Sequence, residues 1–313
     1  MVFRRSVAVH LHHEPVLGTI LHLYLKGPRA ELRGAEAATL AEIGRLEQIF
    51  SVYRTDSELN RWKLGGHEPG PELNALLVDA RRWQVTSAGA FNPAVGAISA
   101  RWKQAEADGY EPTTTELNEL AAAISEPRYD ERLALTADGS VLNFNAFAKG
   151  RVVDLTCRHV MAHHRLDSVM VNIGGDLQHA GSGVVEAAVE NPSAAYDNAA
   201  PFAVIRLSNQ AIATSGSSRR GFQVGDRWYS HVIDPRTGWP VESIMSSSVV
   251  APDAATADAV ATVIGVVEPA EGTRFAAKYP HCIVLADSTA VTNDAWRAVA
   301  LARREPDQSE RDQ

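Results

Sequence analysis

The spacing of apolar positions along the chain predicts helices and strands in irregular alternation. Residues 30–50 carry apolar side chains three or four positions apart, the pattern of an amphipathic helix. Residues 7–11 and 19–25 alternate between apolar and polar side chains, which predicts the two strands of a hairpin. Further strands are predicted over 168–173, 184–189, 202–207, 211–214, 246–250, 282–286 and 290–292, a hairpin over 221–234, and helices over 72–85, 114–124, 149–164, 255–266 and 272–278. This order favours an α+β fold of antiparallel sheets with flanking helices.

A strand-to-helix junction in the middle of the chain is the first candidate for ligand binding. The pattern predicts a strand over 141–145, reached through a hairpin over 133–145 that turns at Asp138-Gly139. A helix is then expected to begin near Lys149. Small residues at such a junction let a ligand approach the backbone, and the first turn of a helix offers free N–H groups to a phosphate.

Length and composition limit the organisation of the chain. Its 313 residues contain no internal repeat and no linker-like segment, so we predict one domain over 1–301 and a charged, disordered tail over 302–313. The formal net charge of −8 argues against a nucleic-acid partner. Cys157 and Cys282 are predicted to be buried free thiols.

Hydropathy also bears on the location of the protein. The chain has no apolar run of signal-peptide length near its start and no span of about 20 apolar residues, so no transmembrane segment is predicted. As written, the chain is expected to be cytoplasmic. A chain from which a leader had been removed would look the same, and a periplasmic location stays open in that case.

One helical segment carries side chains suited to a hard metal ion. Asp258 and Thr262 are four residues apart and therefore share one face of the helix predicted over 255–266. A carboxylate and a hydroxyl are ligands for Mg²⁺ or Ca²⁺ rather than for zinc. The alternative is a solvated helix face with no ligand.

Two further segments carry polar groups next to turns. Thr214 and Ser215 lie where a strand runs into a Gly/Ser-rich loop, which suits a phosphate or the polar edge of a ring system, or is only a solvated hairpin loop. His231 precedes the turn at Asp234-Pro235 and is either a base, a ligand contact or a structural histidine. Gly174-Gly175-Asp176 is a turn that would also allow close approach of a ligand.

Two other kinds of site find little support. His159 and His163 have a workable metal-ligand spacing, but no glutamate follows His159 and no third ligand is evident nearby. His10 and His12 share a strand face without a further partner. A serine-hydrolase site is disfavoured because the chain has no Gly-x-Ser-x-Gly elbow.

Taken together, the order and spacing of several motifs resemble the FAD:protein FMN transferase family, also called the ApbE family. The resemblance runs from Leu17-Gly18-Thr19 to about residue 265. The motifs between these ends are Phe50-Ser51-Val52-Tyr53-Arg54 with Ser57-Glu58-Leu59-Asn60, Gly89-Ala90-Phe91-Asn92-Pro93-Ala94-Val95-Gly96, Ala148-Lys149-Gly150 with Asp154, Val171-Asn172-Ile173-Gly174-Gly175-Asp176, Ala213-Thr214-Ser215-Gly216, residues 231–238, and Thr256-Ala257-Asp258-Ala259-Val260-Ala261-Thr262.

The resemblance implies a T-fold-related α+β enzyme that uses Mg²⁺ and takes FAD as its substrate. Family members move the FMN half onto a Thr or Ser hydroxyl of an acceptor protein and release AMP, whereas some relatives hydrolyse FAD to FMN and AMP. By resemblance, the metal ligands are Asp258, Thr262 and the carbonyl of Ala146, and the FAD contacts are Leu17, Tyr53, Trp102, Asn143, Lys149, Thr214, Ser215 and Ile233. The chemistry of breaking a diphosphate adds two expected catalytic residues: Lys149, as a cation, and His231, as the base for the acceptor hydroxyl.

The chain also departs from the family pattern. It has Asn143-Phe144-Asn145-Ala146 where the family commonly has Asp-x-Gly-Gly, Asn92 in place of an aspartate, and Ala261 where some members carry another metal-binding aspartate. These changes mark either a subfamily with its own acceptor or a flavin binder with little turnover. FAD pyrophosphatase activity and non-catalytic flavin binding remain alternatives, and the protein is expected to be a monomer or a homodimer.

Overall fold

The computed structural model describes residues 6–194, 199–216 and 220–301. Its strands, in chain order, are β1 (Ser6–Val16), β2 (Thr19–Pro28), β3 (Ser168–Ile173), β4 (Asp176–Gly181), β5 (Val185–Val189), β6 (Ala203–Leu207), β7 (Ala211–Gly216), β8 (Gly221–Val224), β9 (Arg227–Ser230), β10 (Ile244–Ala251), β11 (His281–Leu285) and β12 (Ala290–Thr292). An eight-stranded antiparallel sheet has the order β1-β2-β3-β4-β7-β10-β11-β12. Strands β5–β6 and β8–β9 form two separate hairpins.

Helices flank this sheet. They are α1 (Arg29–Phe50), α2 (Glu58–Lys63), α3 (Pro71–Thr86), α4 (Gly96–Asp108), α5 (Thr114–Ala123), α6 (Asn145–His163), α7 (Ala254–Ile264), α8 (Pro269–Phe275) and α9 (Asp294–Val299). Helices α1, α6 and α7 pack against one face of the sheet. On the other face, the β5–β6 hairpin and α9 share an apolar cluster with β4, β7, β10 and β11. The expected α+β fold of antiparallel sheet with flanking helices is confirmed.

The alternation in β2 shows how the sequence selects the buried face of the sheet. Leu21, Leu23 and Leu25 are fully buried, while His22 between them is exposed. Because successive strand residues point to opposite faces, this pattern turns one face of β2 toward the helices. Leu23 pairs with Val171 of β3, which is also buried, so the apolar face continues into the next strand.

The prediction for residues 133–145 is wrong. The structure has a 3₁₀ turn at Gly139–Val141 in place of a hairpin, and no strand over 141–145. The Asp138 carboxylate accepts hydrogen bonds from the backbone N–H and the hydroxyl of Ser140, which favours this turn. The Asn143 N–H donates to the carbonyl of Pro93, so the backbone here finds partners outside any sheet.

The start of the next helix also differs from the prediction. Helix α6 begins at Asn145, so Lys149 lies in its second turn and its N–H is not one of the free groups of the first turn. Strand β4 and the short helix α9 were not predicted. Elsewhere the predicted elements are present with shifted ends, and both cysteines are buried and free.

Two predictions on organisation are not decided by the structure. The tail over 302–313 lies outside the described residues, and so do Met1 to Arg5. The assignment of a single domain to residues 1–301 stays a prediction. Across the described part of the chain, none of the helices combines the length and the apolar character that crossing a membrane requires.

Candidate functional site

Helices α6 and α7 bring together the three residues expected to bind a metal ion. The Thr262 hydroxyl donates to the carbonyl oxygen of Ala146, at 3.4 Å, across the two helices. Asp258, one turn before Thr262, is buried, and its Oδ2 atom has no hydrogen-bond partner. A buried carboxylate oxygen without a donor is costly unless a cation compensates it. The oxygen donor set therefore fits a hard divalent cation.

Lys149 stands beside these oxygen atoms. Its ammonium nitrogen lies 2.7 Å from Oδ2 of Asp176, which begins β4 just after the Gly174-Gly175 turn. Both glycines have positive φ values, of 60° and 98°, and a Cβ on Gly174 would come within 2.8 Å of Thr19. The turn needs glycine for these reasons, and it delivers the buried Asp176 to the Lys149 side chain.

Burial and neighbouring charges shift the pKa values of the carboxyl and ammonium groups in this cluster. Burial raises the pKa of Asp258 well above its usual range, and the neighbouring Asp176 carboxylate raises it further. Burial also opposes the charge of Lys149, but the nearby Asp176 and Asp258 carboxylates outweigh that effect and raise its pKa. One ammonium thus faces two buried carboxyl groups. A bound divalent cation would add positive charge beside Asp258 and so favour its ionised form.

Asn145, the first residue of α6, and Asn143, two residues before it, lie close to the expected flavin contact. The Asn143 side chain accepts a hydrogen bond from the Asn145 N–H, and so forms a local turn just before α6, at a position where the family commonly has aspartate. The Asn145 amide donates to the Tyr53 hydroxyl at 3.0 Å. Tyr53 is 82% exposed, so its ring offers an open aromatic surface next to Ala146.

His231 follows β9 and is held by a backbone carbonyl. Its Nδ1 atom lies 3.0 Å from the carbonyl oxygen of Arg220, which also accepts the His231 N–H. With the proton on Nδ1 donated there, Nε2 is the nitrogen free to accept another proton. Partial desolvation of the ring lowers its pKa, and the Arg220 charge adds to this effect. The same Arg220 charge also acts on Lys149.

The remaining expected FAD contacts have varied surroundings. The Thr214 hydroxyl bonds that of Ser248 at 2.8 Å, and Ser215 is the next residue of β7, half-buried. Leu17 occupies the β1–β2 turn with a φ of 49° and is half-buried. Ile233 is buried, with 4% of its surface exposed.

Trp102 is an expected contact that the structure buries completely. Its side chain is fully buried and packs against Tyr229 and Trp239. The indole N–H donates to the carbonyl of Gly238, at 2.9 Å. Its surroundings are those of a core residue that fixes the loop after His231.

Two residues that depart from the family pattern, Asn92 and Ala261, make defined hydrogen bonds in the structure. The Asn92 side chain accepts from the Ala94 N–H and donates to the carbonyl of Ile124, so it ties two segments together. Ala261 is fully buried, and its carbonyl accepts the Ser247 hydroxyl. Within the described ranges, no three or more His, Cys, Asp or Glu side chains are grouped so that they could hold a metal ion. The pair of His159 and His163 therefore lies in no such group.

Two buried carboxylates next to the site were not among the predicted site residues. Asp176 pairs with Lys149, and Asp154 accepts hydrogen bonds from the backbone of α7. The signal for Asp154 was present in the sequence, because a carboxylate follows Val152 and Val153 on the apolar side of a helix. Asp176 was visible only as part of a turn.

Comparison with known proteins gives a consistent result. The profile of the ApbE family matches residues 17–285 of this chain. A protein of Treponema pallidum named FAD:protein FMN transferase is 30% identical over 289 residues, which cover 83% of this chain and 79% of the relative. A Vibrio cholerae protein of the same name is 31% identical, with 81% of this chain and 80% of the relative covered.

Solved structures share the fold. The ApbE protein of Thermotoga maritima superposes with a TM-score of 0.81 at 21% identity, covering 95% of this chain and all of that one (100%). The flavin transferase ApbE of Vibrio cholerae gives a TM-score of 0.75 at 23% identity over 94% of this chain and 100% of that one. Both therefore have the same arrangement of sheet and helices.

Proposed function

This chain belongs to the ApbE family, and on that premise we propose that it transfers the FMN moiety of FAD to a Thr or Ser hydroxyl of an acceptor protein. AMP is the second product. Relatives that are named FAD:protein FMN transferase support this assignment. The observation that carries it is the cluster at the α6–α7 crossing, where the Lys149 ammonium, the buried Asp258 carboxyl and the Thr262 hydroxyl lie together.

The proposed reaction exchanges one phosphorus–oxygen bond for another. The acceptor hydroxyl oxygen attacks the phosphorus of the FMN half, and the bond from that phosphorus to the bridging oxygen breaks. The bridging oxygen leaves with AMP and takes the electron pair. The hydroxyl proton moves to a base. Negative charge grows on the bridging oxygen, so positive charge near it lowers the barrier.

Lys149 supplies that positive charge. Because its pKa is raised by the flanking carboxyl groups, the ammonium stays protonated at neutral pH. The 2.7 Å bond to Asp176 fixes its direction, so little reorganisation is needed when a diphosphate arrives.

A divalent cation such as Mg²⁺ fits the same place. Asp258, Thr262 and the Ala146 carbonyl are the residues that would hold it, because Asp258 has an oxygen atom without a partner and all three groups are hard oxygen donors. A bound Mg²⁺ would supply neutralisation of the diphosphate charge.

His231 is the proposed base for the acceptor hydroxyl. Its lowered pKa keeps the ring neutral at pH 7, and the bond from Nδ1 to the Arg220 carbonyl directs Nε2 outward as the proton acceptor. A positioned general base contributes roughly 10²–10⁴ in rate. Its removal would slow transfer without preventing FAD from binding.

The flavin half is proposed to lie on the exposed ring of Tyr53. Aromatic rings stack with offset geometry, and this ring is both open to solvent and fixed at its hydroxyl by Asn145. The other proposed contacts are Asn143, Ile233, Leu17, Thr214 and Ser215. Asn143 lies in the segment that leads to Ala146, and Ile233 lies two residues after His231. Trp102 would act through the loop that it supports.

Mass spectrometry of an acceptor domain tests this function. The chain is incubated with FAD, Mg²⁺ and candidate acceptor domains, and an FMN adduct on a Thr or Ser is expected. The Asp258→Ala variant should form none. AMP and free FMN in equal amounts without any adduct would identify a pyrophosphatase, and bound FAD that is never cleaved would identify a flavin-binding protein.

A further inference from the structure

The first turn of α7 is capped by another helix. The first four N–H groups of a helix have no partner within it. In α7, Asp253 satisfies two of them, since its carboxylate accepts from Thr256 and its carbonyl accepts from Ala257. The other two, at Ala254 and Ala255, donate to the two carboxylate oxygens of Asp154 at 2.7 and 2.9 Å. Asp154 belongs to α6 and is buried, so this carboxylate joins the two helices.

The two helices touch closely between this joint and the candidate metal site. A Cβ on Gly150 would come within 2.5 Å of the Ala254 carbonyl oxygen, so the backbones are in near contact there. Toward the other end, the Ala146 carbonyl meets the Thr262 hydroxyl. Asp154 and Ala146 are eight residues apart on α6, as are Ala254 and Thr262 on α7, so the helices run antiparallel with matched register.

We infer that Asp154 is a positioning residue for the metal site, which sets the register of α7 against α6 and so places Asp258 and Thr262 beside the Ala146 carbonyl. This inference rests on the proposed function, because it concerns the same oxygen cluster. The carboxylate binds two consecutive N–H groups at once, which fixes both the distance and the rotation of the helix end. A slide of α7 along α6 would break both bonds.

The cost of burying Asp154 supports this role. Burial raises its pKa to about 7, and the two backbone bonds from Ala255 and Ala254 offset only part of that effect. An apolar residue at the same place would avoid the cost, and Ser, Thr, Asp or Asn within α7 could cap its own end. Asp253 already does so. What Asp154 adds is the connection to α6.

Metal binding by the full-length chain tests the inference, with Asp253→Ala as the matched control. Both Asp154→Ala and Asp253→Ala remove a carboxylate that caps α7, but only the first removes the link to α6. Mn²⁺ alone is titrated into each protein and followed by electron paramagnetic resonance, with urea unfolding measured in parallel. Asp154→Ala is expected to weaken Mn²⁺ binding by about tenfold or more, as supporting groups around metal ligands do. Asp253→Ala should weaken it by about threefold at most, although it too removes a cap of α7.

A second variant covers the case in which Asp154→Ala does not fold. Asp154→Asn keeps one oxygen acceptor, and is expected to weaken Mn²⁺ binding less than Asp154→Ala but more than Asp253→Ala. Unchanged Mn²⁺ affinity in a folded Asp154 variant overturns the inference, and so does equal weakening in the Asp253→Ala control. Failure of the wild-type chain to bind Mn²⁺ overturns the metal site itself, and the inference with it. If the wild-type chain transferred FMN but bound no Mn²⁺, the metal site and this inference would fail while the proposed transfer activity would stand.

Discussion

The ammonium of Lys149 and the carboxylate of Asp176 lie 2.7 Å apart and join helix α6 to the first residue of β4. Asp176 is almost fully buried, with 2% of its side chain exposed, while Lys149 reaches toward solvent with 36% exposed. In this pair, the Asp176 carboxylate is fixed in the protein interior, while the Lys149 side chain is partly accessible from solvent. A bound diphosphate would therefore contact the Lys149 ammonium rather than Asp176.

Replacing Lys149 by Met tests both parts of this pair. The buried Asp176 would lose its partner, and we expect the free energy of unfolding to fall by about 1–3 kcal/mol, less than for a fully buried pair because Lys149 is partly exposed. FMN transfer should fall by about a hundredfold or more, because the cation near the diphosphate is gone. Urea unfolding and initial rates measure the two effects. Lys103→Met, at an exposed position on α4, is the control and should change neither.

Gly150 gives a prediction about the contact between α6 and α7. Gly150→Ala would place a methyl group 2.5 Å from the Ala254 carbonyl oxygen, so the helices must separate. We expect a loss of about 1–3 kcal/mol in the free energy of unfolding. Gly44 in α1 has open space around its Cβ position, and Gly44→Ala should instead stabilise the protein by about 0.5–1 kcal/mol. Equal effects of the two substitutions in urea unfolding would contradict the close approach.

The raised pKa of Asp154 predicts how stability changes with pH. Its pKa is about 7 in the folded protein, because of burial first, and about 3.9 in the unfolded chain. Between these values the folded state holds the proton more tightly, so this group's contribution to stability falls as the pH rises. From about pH 5 to about pH 8, the loss should be on the order of 2 kcal/mol. Asp154→Asn removes the titration, so its unfolding free energy should depend less on pH than that of the wild type. Parallel pH profiles of the two proteins would refute the assignment.

The hydrogen bond between Asn145 and Tyr53 predicts coupling between two substitutions. Asn145→Ala and Tyr53→Phe each remove the same bond at 3.0 Å, and each should raise the KM for FAD by about twofold to tenfold with little change in kcat. If the bond holds the aromatic ring in place, the double variant should be no worse than either single variant. Additive effects on KM would show that the two residues act independently. Tyr53→Ala, which removes the ring, should be the most severe.

Much of the fold follows from the periodicity of the apolar residues. The alternation in β2 predicts a strand, and the spacing of three or four residues in α1 predicts a helix. The segment over 133–145 was predicted wrongly, because Asp138, Asn143 and Pro93 satisfy its backbone through side chains and distant carbonyls. Such partners cannot be read from local pattern. The same limit applies to the site. Asp258 and Thr262 are neighbours on one helix, but their meeting with Ala146 depends on how α7 packs on α6. The burial of Asp176 depends on a glycine turn that lies close against Thr19.

In the proposed mechanism, oxygen ligands from α6 and α7 form a divalent-cation site that makes the diphosphate of FAD reactive. The most direct measurement is the initial rate of AMP release from FAD, with an acceptor domain present, as Mg²⁺ is titrated into the wild type and into Asp258→Asn. A saturable increase with Mg²⁺ is expected in the wild type, and Asp258→Asn should lose about a hundredfold or more of the rate at the same Mg²⁺ concentration. An equal response of both proteins to Mg²⁺, or a wild-type rate that does not depend on Mg²⁺, would contradict the claim.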